Sequence, residues 1–403
     1  MTKLGIIREG KTPPDNRVPL TPEQCVEVQE RFRNVEVKVQ SSTVRCFSDE
    51  DYQKAGIPVQ EDLSDCDVLL GVKEVPVNNL IPNKTYFFFS HTIKKQEYNR
   101  KLLQTILEKN IQLVDYEVLT DKNGFRIIGF GRFAGLVGAY NGIRGFGLRN
   151  EIFRLKPAYK CTGLIEMFAQ LDNIEMPPVK IAITGDGRVA QGCLEVLNHL
   201  KIKKLSPEEY LKTKNPEELV FTQLSPSDYV RRKNGSAFDL IHFFKHPEMY
   251  ENAFLPFAKT TDVLIAAAYW DPKSPVLFTA KDMRRDDFQI SVISDITCDI
   301  EGSIPSTKRA ATIAEPFYDY NPETEELEPP FSSEKNITVQ AVDNLPNELP
   351  KDASQDFGRN LIDKVFPSLF GEDVNEIIER ASITKNGKLT GRFAYLRDFI
   401  SKR

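Results

Sequence analysis

The feature that most constrains this chain is a buried strand running directly into a glycine turn and a helix. Val179-Lys180-Ile181-Ala182-Ile183-Thr184 leads into Gly185-Asp186-Gly187-Arg188-Val189-Ala190, and a helical pattern continues through Leu200. Glycines in that setting let the backbone approach a pyrophosphate at the positive end of the helix. Gly185, Gly187, Arg188 and Val189 are therefore the expected cofactor-binding residues, with a tight turn holding no ligand as the plain alternative. An acidic residue about twenty positions on usually hydrogen-bonds the adenine ribose of NAD. Here the second strand ends at Lys203-Lys204-Leu205-Ser206. Ser206 leaves room for a 2′-phosphate and either lysine could attract it, while Glu208 and Glu209 lie close enough to serve NAD. The reading is NAD(P), leaning slightly to NADP.

The rest of the chain has a compatible rhythm. Short apolar strands (4–7, 35–39, 68–72, 86–90 and 112–115) alternate with amphipathic helices such as 22–32, which means βαβ units and a mainly parallel sheet. A glycine-rich helical stretch, 133–155, reads as an interdomain helix, and 179–200 opens a second α/β domain with later strands at 263–267 and 290–296. The acidic, proline-rich 321–330 segment reads as a surface excursion. Beyond Ala353 the chain is helical, with Phe357, Leu361, Val365 and Phe366 near helical spacing. A length of 403 residues also exceeds what one hydrophobic core usually organises.

Composition narrows the function classes. Hydrophobic residues at 40% and charged residues at 28% suit an ordinary globular enzyme rather than a disordered or fibrous chain. The net charge of -5 comes without a long basic run, which disfavours nucleic acid as a partner. No window approaches the roughly 18 uninterrupted apolar residues of a spanning helix. The N-terminus runs into a strand without the pattern of a secretory signal, so a cytoplasmic location is expected. Six cysteines show no CxxC pair and no histidine at ligand spacing, which argues against a metal site.

Several ionisable residues fall where open α/β sheets place their ligands, just past strand ends. Lys73 ends one strand and is followed by Glu74; His91 ends the next. A buried lysine can act as a base and a histidine can move protons near neutrality, although each alone is commonly structural. Glu117 ends the following strand, and Arg126 begins another after the Asn123-Gly124 turn. Arg17 precedes the helix start at Thr21-Pro22. Guanidinium groups match carboxylates in bidentate fashion, so Arg17 and Arg126 are candidate clamps for a dicarboxylate substrate.

Together these segments resemble the saccharopine dehydrogenase (L-lysine-forming) and lysine-ketoglutarate reductase family, itself related to alanine dehydrogenase and the transhydrogenase alpha subunit. The carriers include Arg17-Val-Pro-Leu-Thr-Pro22, Gly71-Val-Lys73-Glu74, Phe88-Phe-Ser-His91, Asp115-Tyr-Glu117, Gly129-Phe-Gly-Arg-Phe-Ala-Gly135, and Val342-Asp343-Asn344-Leu345-Pro346. Tyr269-Trp270 and Gly302-Ser303-Ile304 are similar to the reductase domain of the bifunctional lysine-degrading enzymes; their glutamate-forming half has no counterpart in these residues. The resemblance implies two Rossmann-like α/β domains with mainly parallel sheets, the nucleotide domain inserted in a discontinuous substrate domain. The expected division is substrate domain 1–130, nucleotide domain 131–354 and a substrate-domain return at 355–403.

By the same resemblance Lys73 and His91 are an acid–base pair, Glu74 and Glu117 tune their protonation, Arg17 and Arg126 hold substrate carboxylates, and Asp343 lies near the nicotinamide. The implied reaction interconverts saccharopine with L-lysine and 2-oxoglutarate by hydride transfer and imine hydrolysis. Alanine dehydrogenase, another opine-type amino acid/2-oxo acid reductase, and a non-catalytic nucleotide-binding module are the rival readings. Neither oligomeric state nor physiological direction follows from these residues.

Overall fold

The computed structural model describes residues 1–401. Its chain divides into two compact units, Met1–Phe130 with Pro350–Arg403, and Gly131–Leu349. The second boundary thus falls at the start of the helix Pro350–Asn360, a few residues ahead of the position expected from the sequence.

The first unit opens with β1 (Thr2–Ile6), α1 (Pro22–Arg31), β2 (Val35–Gln40), α2 (Asp49–Lys54), β3 (Val59–Gln60), β4 (Val68–Leu70), β5 (Thr85–Phe88), α3 (Arg100–Glu108) and β6 (Gln112–Asp115). The start of α1 follows from its sequence. The Thr21 hydroxyl accepts from the Gln24 amide, the Gln24 side chain accepts from the Thr21 amide, and Pro22 needs no amide partner in the first turn. The six strands lie in the order β3-β2-β1-β4-β5-β6 and run parallel throughout. The chain therefore winds outward from β1 in one direction and then from β4 in the other. The place where the direction reverses, between the carboxyl ends of β1 and β4, is where such sheets bind ligands.

The second unit begins with α4 (Gly131–Arg149), α5 (Leu164–Leu171), β7 (Lys180–Thr184), α6 (Arg188–His199), β8 (Lys203–Leu205), α7 (Pro207–Lys212), β9 (Val220–Leu224) and α8 (Pro226–Tyr229). A separate antiparallel pair, β10 (Val230–Arg232) and β11 (Tyr250–Asn252), precedes β12 (Val263–Ala266), β13 (Val292–Asp295), β14 (Phe317–Tyr320), β15 (Leu327–Glu328) and β16 (Ile337–Gln340). The main sheet has the order β8-β9-β7-β12-β13-β16-β14-β15. Only β14 runs against the other strands, and β15 returns beside it, so the segment expected as a surface excursion is the turn and second strand of a hairpin.

Helix α4 ends at Arg149, short of the expected 155, because the chain turns at Asn150 and Glu151 enters the left-handed region. It belongs to the second unit, where its glycines meet α6. A Cβ on Gly135 would stand 1.9 Å from the Val189 carbonyl oxygen, and one on Gly192 would stand 2.0 Å from that of Arg132. The two backbones touch, and only glycine permits it. The opposite flank of α4 packs at Gly138 and Gly142 against Ile296 and Ser294, so the helix is buried nearly all round.

The return segment completes the first unit. Phe357, Leu361, Ile362, Val365 and Phe366 join the core formed by Leu4, Ile6, Val37, Leu70 and Val114. Beyond this helical stretch the sequence reading missed a hairpin, β17 (Ser382–Lys385) and β18 (Lys388–Leu389), whose first strand pairs antiparallel with β6. Among the described residues no helix is long and apolar enough to cross a membrane.

Candidate active site

Four adjacent parallel strands of the first unit deliver ionisable groups to one edge. Past β1, the Glu9 carboxylate accepts the amides of Val72 (2.6 Å) and Lys73 (2.9 Å), tying the end of β1 to the segment that follows β4. Burial raises the Glu9 carboxyl to about 7 against those two amide bonds. Glu9 was overlooked in the sequence; the signal was an acid just past a predicted strand end, the same signal that singled out Glu117.

Lys73 is half-buried, and its proton affinity is lowered first by desolvation and then by the neighbouring Arg17 and Lys11 charges; Asp15 and Glu74 oppose the shift. Glu74 accepts from Lys11 Nζ at 3.0 Å through one oxygen and is hydrogen-bonded to His91 Nδ1 at 2.5 Å through the other. Burial pushes the Glu74 carboxyl upward, but the His91 bond and charge, helped by Lys11, outweigh it and hold it at about 2. His91 sits at φ 52° as the chain leaves β5, which ended at Phe88 rather than continuing to the expected Ser90.

Beside it, Asp115 at the end of β6 accepts from the Ser90 amide (3.1 Å) and hydroxyl and from the Glu117 amide (2.7 Å). Burial lifts the Asp115 carboxyl to about 6. One oxygen of Glu117 faces Arg126 at 3.3 Å and Lys94 at 3.5 Å; the other is buried without a hydrogen-bond partner. Arg126 forms a single antiparallel bridge with Thr120 rather than the strand expected to begin there, and its Nε donates to the Glu117 carbonyl at 3.0 Å. Its side chain remains 42% exposed. Arg17 is buried in a bidentate pair with Asp15 (2.9 and 2.6 Å), and its guanidinium lies 4.1 Å over the Phe130 ring, which stacks on Phe357. The sheet thus joins Glu74 to His91, leaves Lys73 under the charge of Glu74, pairs Glu117 with Arg126, and turns the fork of Arg17 toward Asp15.

In the second unit the glycine turn lies at the carboxyl end of β7. Gly185 has φ +96°, and a Cβ there would stand 2.9 Å from the Ala268 Cα; around Gly187 there is open space. That is the form of a phosphate cradle at a helix start, with Arg188 and Val189 opening α6. A dinucleotide's pyrophosphate fits it. Ser206 caps α7, its hydroxyl bonded to Glu209 at 2.7 Å, and Lys203 pairs with Glu218 at 2.7 Å. Asp343 is exposed just beyond β16, on the far flank of β7 from Ser206.

Known proteins resemble this chain over nearly its whole length. Residues 5–137 match the family model described as alanine dehydrogenase/PNT, N-terminal domain. The mitochondrial alpha-aminoadipic semialdehyde synthase of Mus musculus is 29% identical over 99% of this chain and 48% of its own length. Saccharopine dehydrogenases are similar to this chain over a larger share of their own length. That of Emericella nidulans, named NAD(+), L-lysine-forming, is 24% identical over 88% of this chain and 89% of its own. Among solved structures an L-alanine dehydrogenase superposes over 99% of both chains with a TM-score of 0.64 and 15% identity, which establishes the shared two-domain Rossmann-type fold. The chain spans about half the length of the semialdehyde synthase it matches.

Proposed function

We propose that the protein is an NAD(P)-dependent oxidoreductase acting on the CH–NH group that joins L-lysine to 2-oxoglutarate in saccharopine. The observation that carries this reading is the set of groups past β4 and β5: a lysine of lowered proton affinity, adjacent in the chain to a carboxylate that is bonded to a histidine at 2.5 Å. Perturbed ionisable groups clustered at the ligand end of a parallel sheet are the expected signature of proton-transfer chemistry.

The coenzyme, when bound by Gly185, Gly187, Arg188 and Val189, supplies the hydride acceptor or donor. In the oxidative direction Lys73 takes the proton from the substrate's secondary amine as the carbon–nitrogen bond becomes an imine. His91, oriented through Nδ1 by Glu74, accepts a proton from the water that adds to the imine carbon and returns it to the departing amine. Glu74 and Glu117 hold negative charge beside these groups. Arg126, partly exposed, receives a substrate carboxylate; Arg17, its fork turned to Asp15, adds positive charge beside Lys73. Asp343 stands at the nicotinamide end.

The test is oxidation of NADPH and of NADH with 2-oxoglutarate and a panel of amines. Lysine-dependent oxidation yielding saccharopine is expected. Turnover with ammonia and pyruvate instead would assign the chain to alanine dehydrogenase chemistry, and turnover with a different amine to another opine-type reductase. Silence across the panel, with coenzyme bound, would leave a nucleotide-binding module.

A further inference from the structure

Between β9 and β12 the second unit leaves its main sheet. The antiparallel pair β10 and β11 stands apart from that sheet, and the chain joining the two strands carries a short helix, α9 (Leu240–Lys245). The helix begins where it does because the Asp239 carboxylate accepts the His242 amide at 2.8 Å. Its inner face is anchored. Phe243 is buried against Tyr250, with Phe238 packed on both, and His242 Nδ1 lies 3.2 Å from the Tyr250 hydroxyl.

The outer face of α9 is apolar where a surface helix ordinarily turns polar residues to water. Leu240 is 43% exposed, Ile241 68% and Phe244 65%, and at 3.6 residues per turn the three fall within an arc of about 100°. Charges of opposite sign mark the two ends of this face, Asp239 ahead of the first turn and Lys245 in the last. Neither is in an ion pair among the described residues, and both are exposed. Their neighbours are satisfied within the chain: Arg231 pairs with Glu251 at 2.7 Å, and Lys233 Nζ donates to the Glu248 carbonyl at 2.8 Å. Exposed apolar patches of this kind mark surfaces that meet another molecule.

We propose that the outer face of α9 is the contact of a two-fold dimer, packed antiparallel on α9 of a second copy of this chain. A two-fold axis at the level of His242 sets Leu240 against Phe244 of the second copy and Ile241 beside its own counterpart. The same operation brings each Asp239 to the Lys245 of the other copy. The face is thus complementary to itself when reversed, which is the condition a two-fold contact imposes. A partner of uniform charge would be attracted at one end of the helix and repelled at the other. The face of one short helix falls below the roughly 800 Å² per partner that a standard stable interface buries, so the association is reversible, with a dissociation constant on the order of micromolar.

Sedimentation velocity of the full chain, from about 1 to 100 µM, tests it by following the passage from monomer to dimer. Ile241→Lys and Phe244→Glu are each expected to weaken association about tenfold or more, with the urea midpoint unchanged because both side chains already face water. Lys245→Glu weakens it less, and added salt narrows its difference from the wild type. Ile241→Cys reports the arrangement directly: mild oxidation should yield a dimer linked between the two copies of position 241, identified by peptide mass. A wild type that stays monomeric throughout overturns the proposal. So does a dimer that keeps its full strength in both Ile241→Lys and Phe244→Glu, and linkage of position 241 only to some other cysteine overturns the antiparallel register.

Discussion

Lys73 and Lys180 show how position decides what the same side chain does. Lys73 sits past a strand end beside Glu74 and His91, and a general acid–base group typically contributes 10²–10⁴-fold. Lys73→Met is expected to lose roughly that factor in turnover while titrating coenzyme normally; wild-type turnover removes Lys73 from the chemistry. Glu74→Gln deletes a negative charge that favours the protonated lysine, so the pH–rate limb governed by Lys73 should move to lower pH. An unmoved limb would exclude Glu74 as its partner.

Lys180, by contrast, is 1% exposed at the start of β7, its ammonium given to the Tyr210 carbonyl and Thr260 hydroxyl at 2.5 Å and to the Thr213 carbonyl. Desolvation lowers it to about 8 from its ordinary 10.5. Between those values the unfolded chain binds the extra proton, so this residue makes stability rise with pH across that window, by on the order of 3 kcal/mol at most. Urea unfolding of wild type and Lys180→Met at pH 7.5 and 10, compared as a difference, should show the rise only in the wild type.

At the scale of elements, the contact between α4 and α6 is the least forgiving. A methyl group at Gly135 or Gly192 meets a backbone carbonyl at about half the normal separation, and backbone cannot rotate away as a side chain can. Gly135→Ala and Gly192→Ala are each expected to destabilise by about 1–3 kcal/mol or more, read as a lower urea midpoint. Gly187→Ala faces open space and should leave the midpoint unchanged while weakening coenzyme binding, because the added methyl occupies the pyrophosphate's approach. Loss of stability without loss of binding at Gly187 would remove it from the cradle.

Over the whole molecule, the two units differ in how they depend on chain order. The core holding Leu264, Ile293, Tyr318 and Val339 lies entirely within Gly131–Leu349. The cores of the first unit draw on both chain ends, with Phe357, Leu361 and Phe366 in one and Ile383, Phe393 and Leu396 in the other. Residues 131–349 expressed alone should therefore unfold cooperatively, whereas residues 1–130 alone, lacking those side chains and the pairing of β17 with β6, should not. A cooperative transition from 1–130 would overturn that division.

What local periodicity and turn chemistry could specify was legible: the parallel strand rhythm, the capped start of α1, the strand–glycine–helix passage at 180–199, and lysine, glutamate and histidine just past strand ends. Each depends on residues within a few positions of one another, where sterics and hydrogen bonding act without the rest of the chain. The bond between Glu74 and His91, the hold of Glu9 on Lys73, the pairing of Arg17 with Asp15, and the late hairpin on β6 join residues that only sheet packing brings together. Strand order belongs to the same class. The charged Lys203-Lys204 of β8 suits an edge and the apolar β9 a central place, but that β9 rather than β8 pairs with β7 is decided by the packing of the completed sheet.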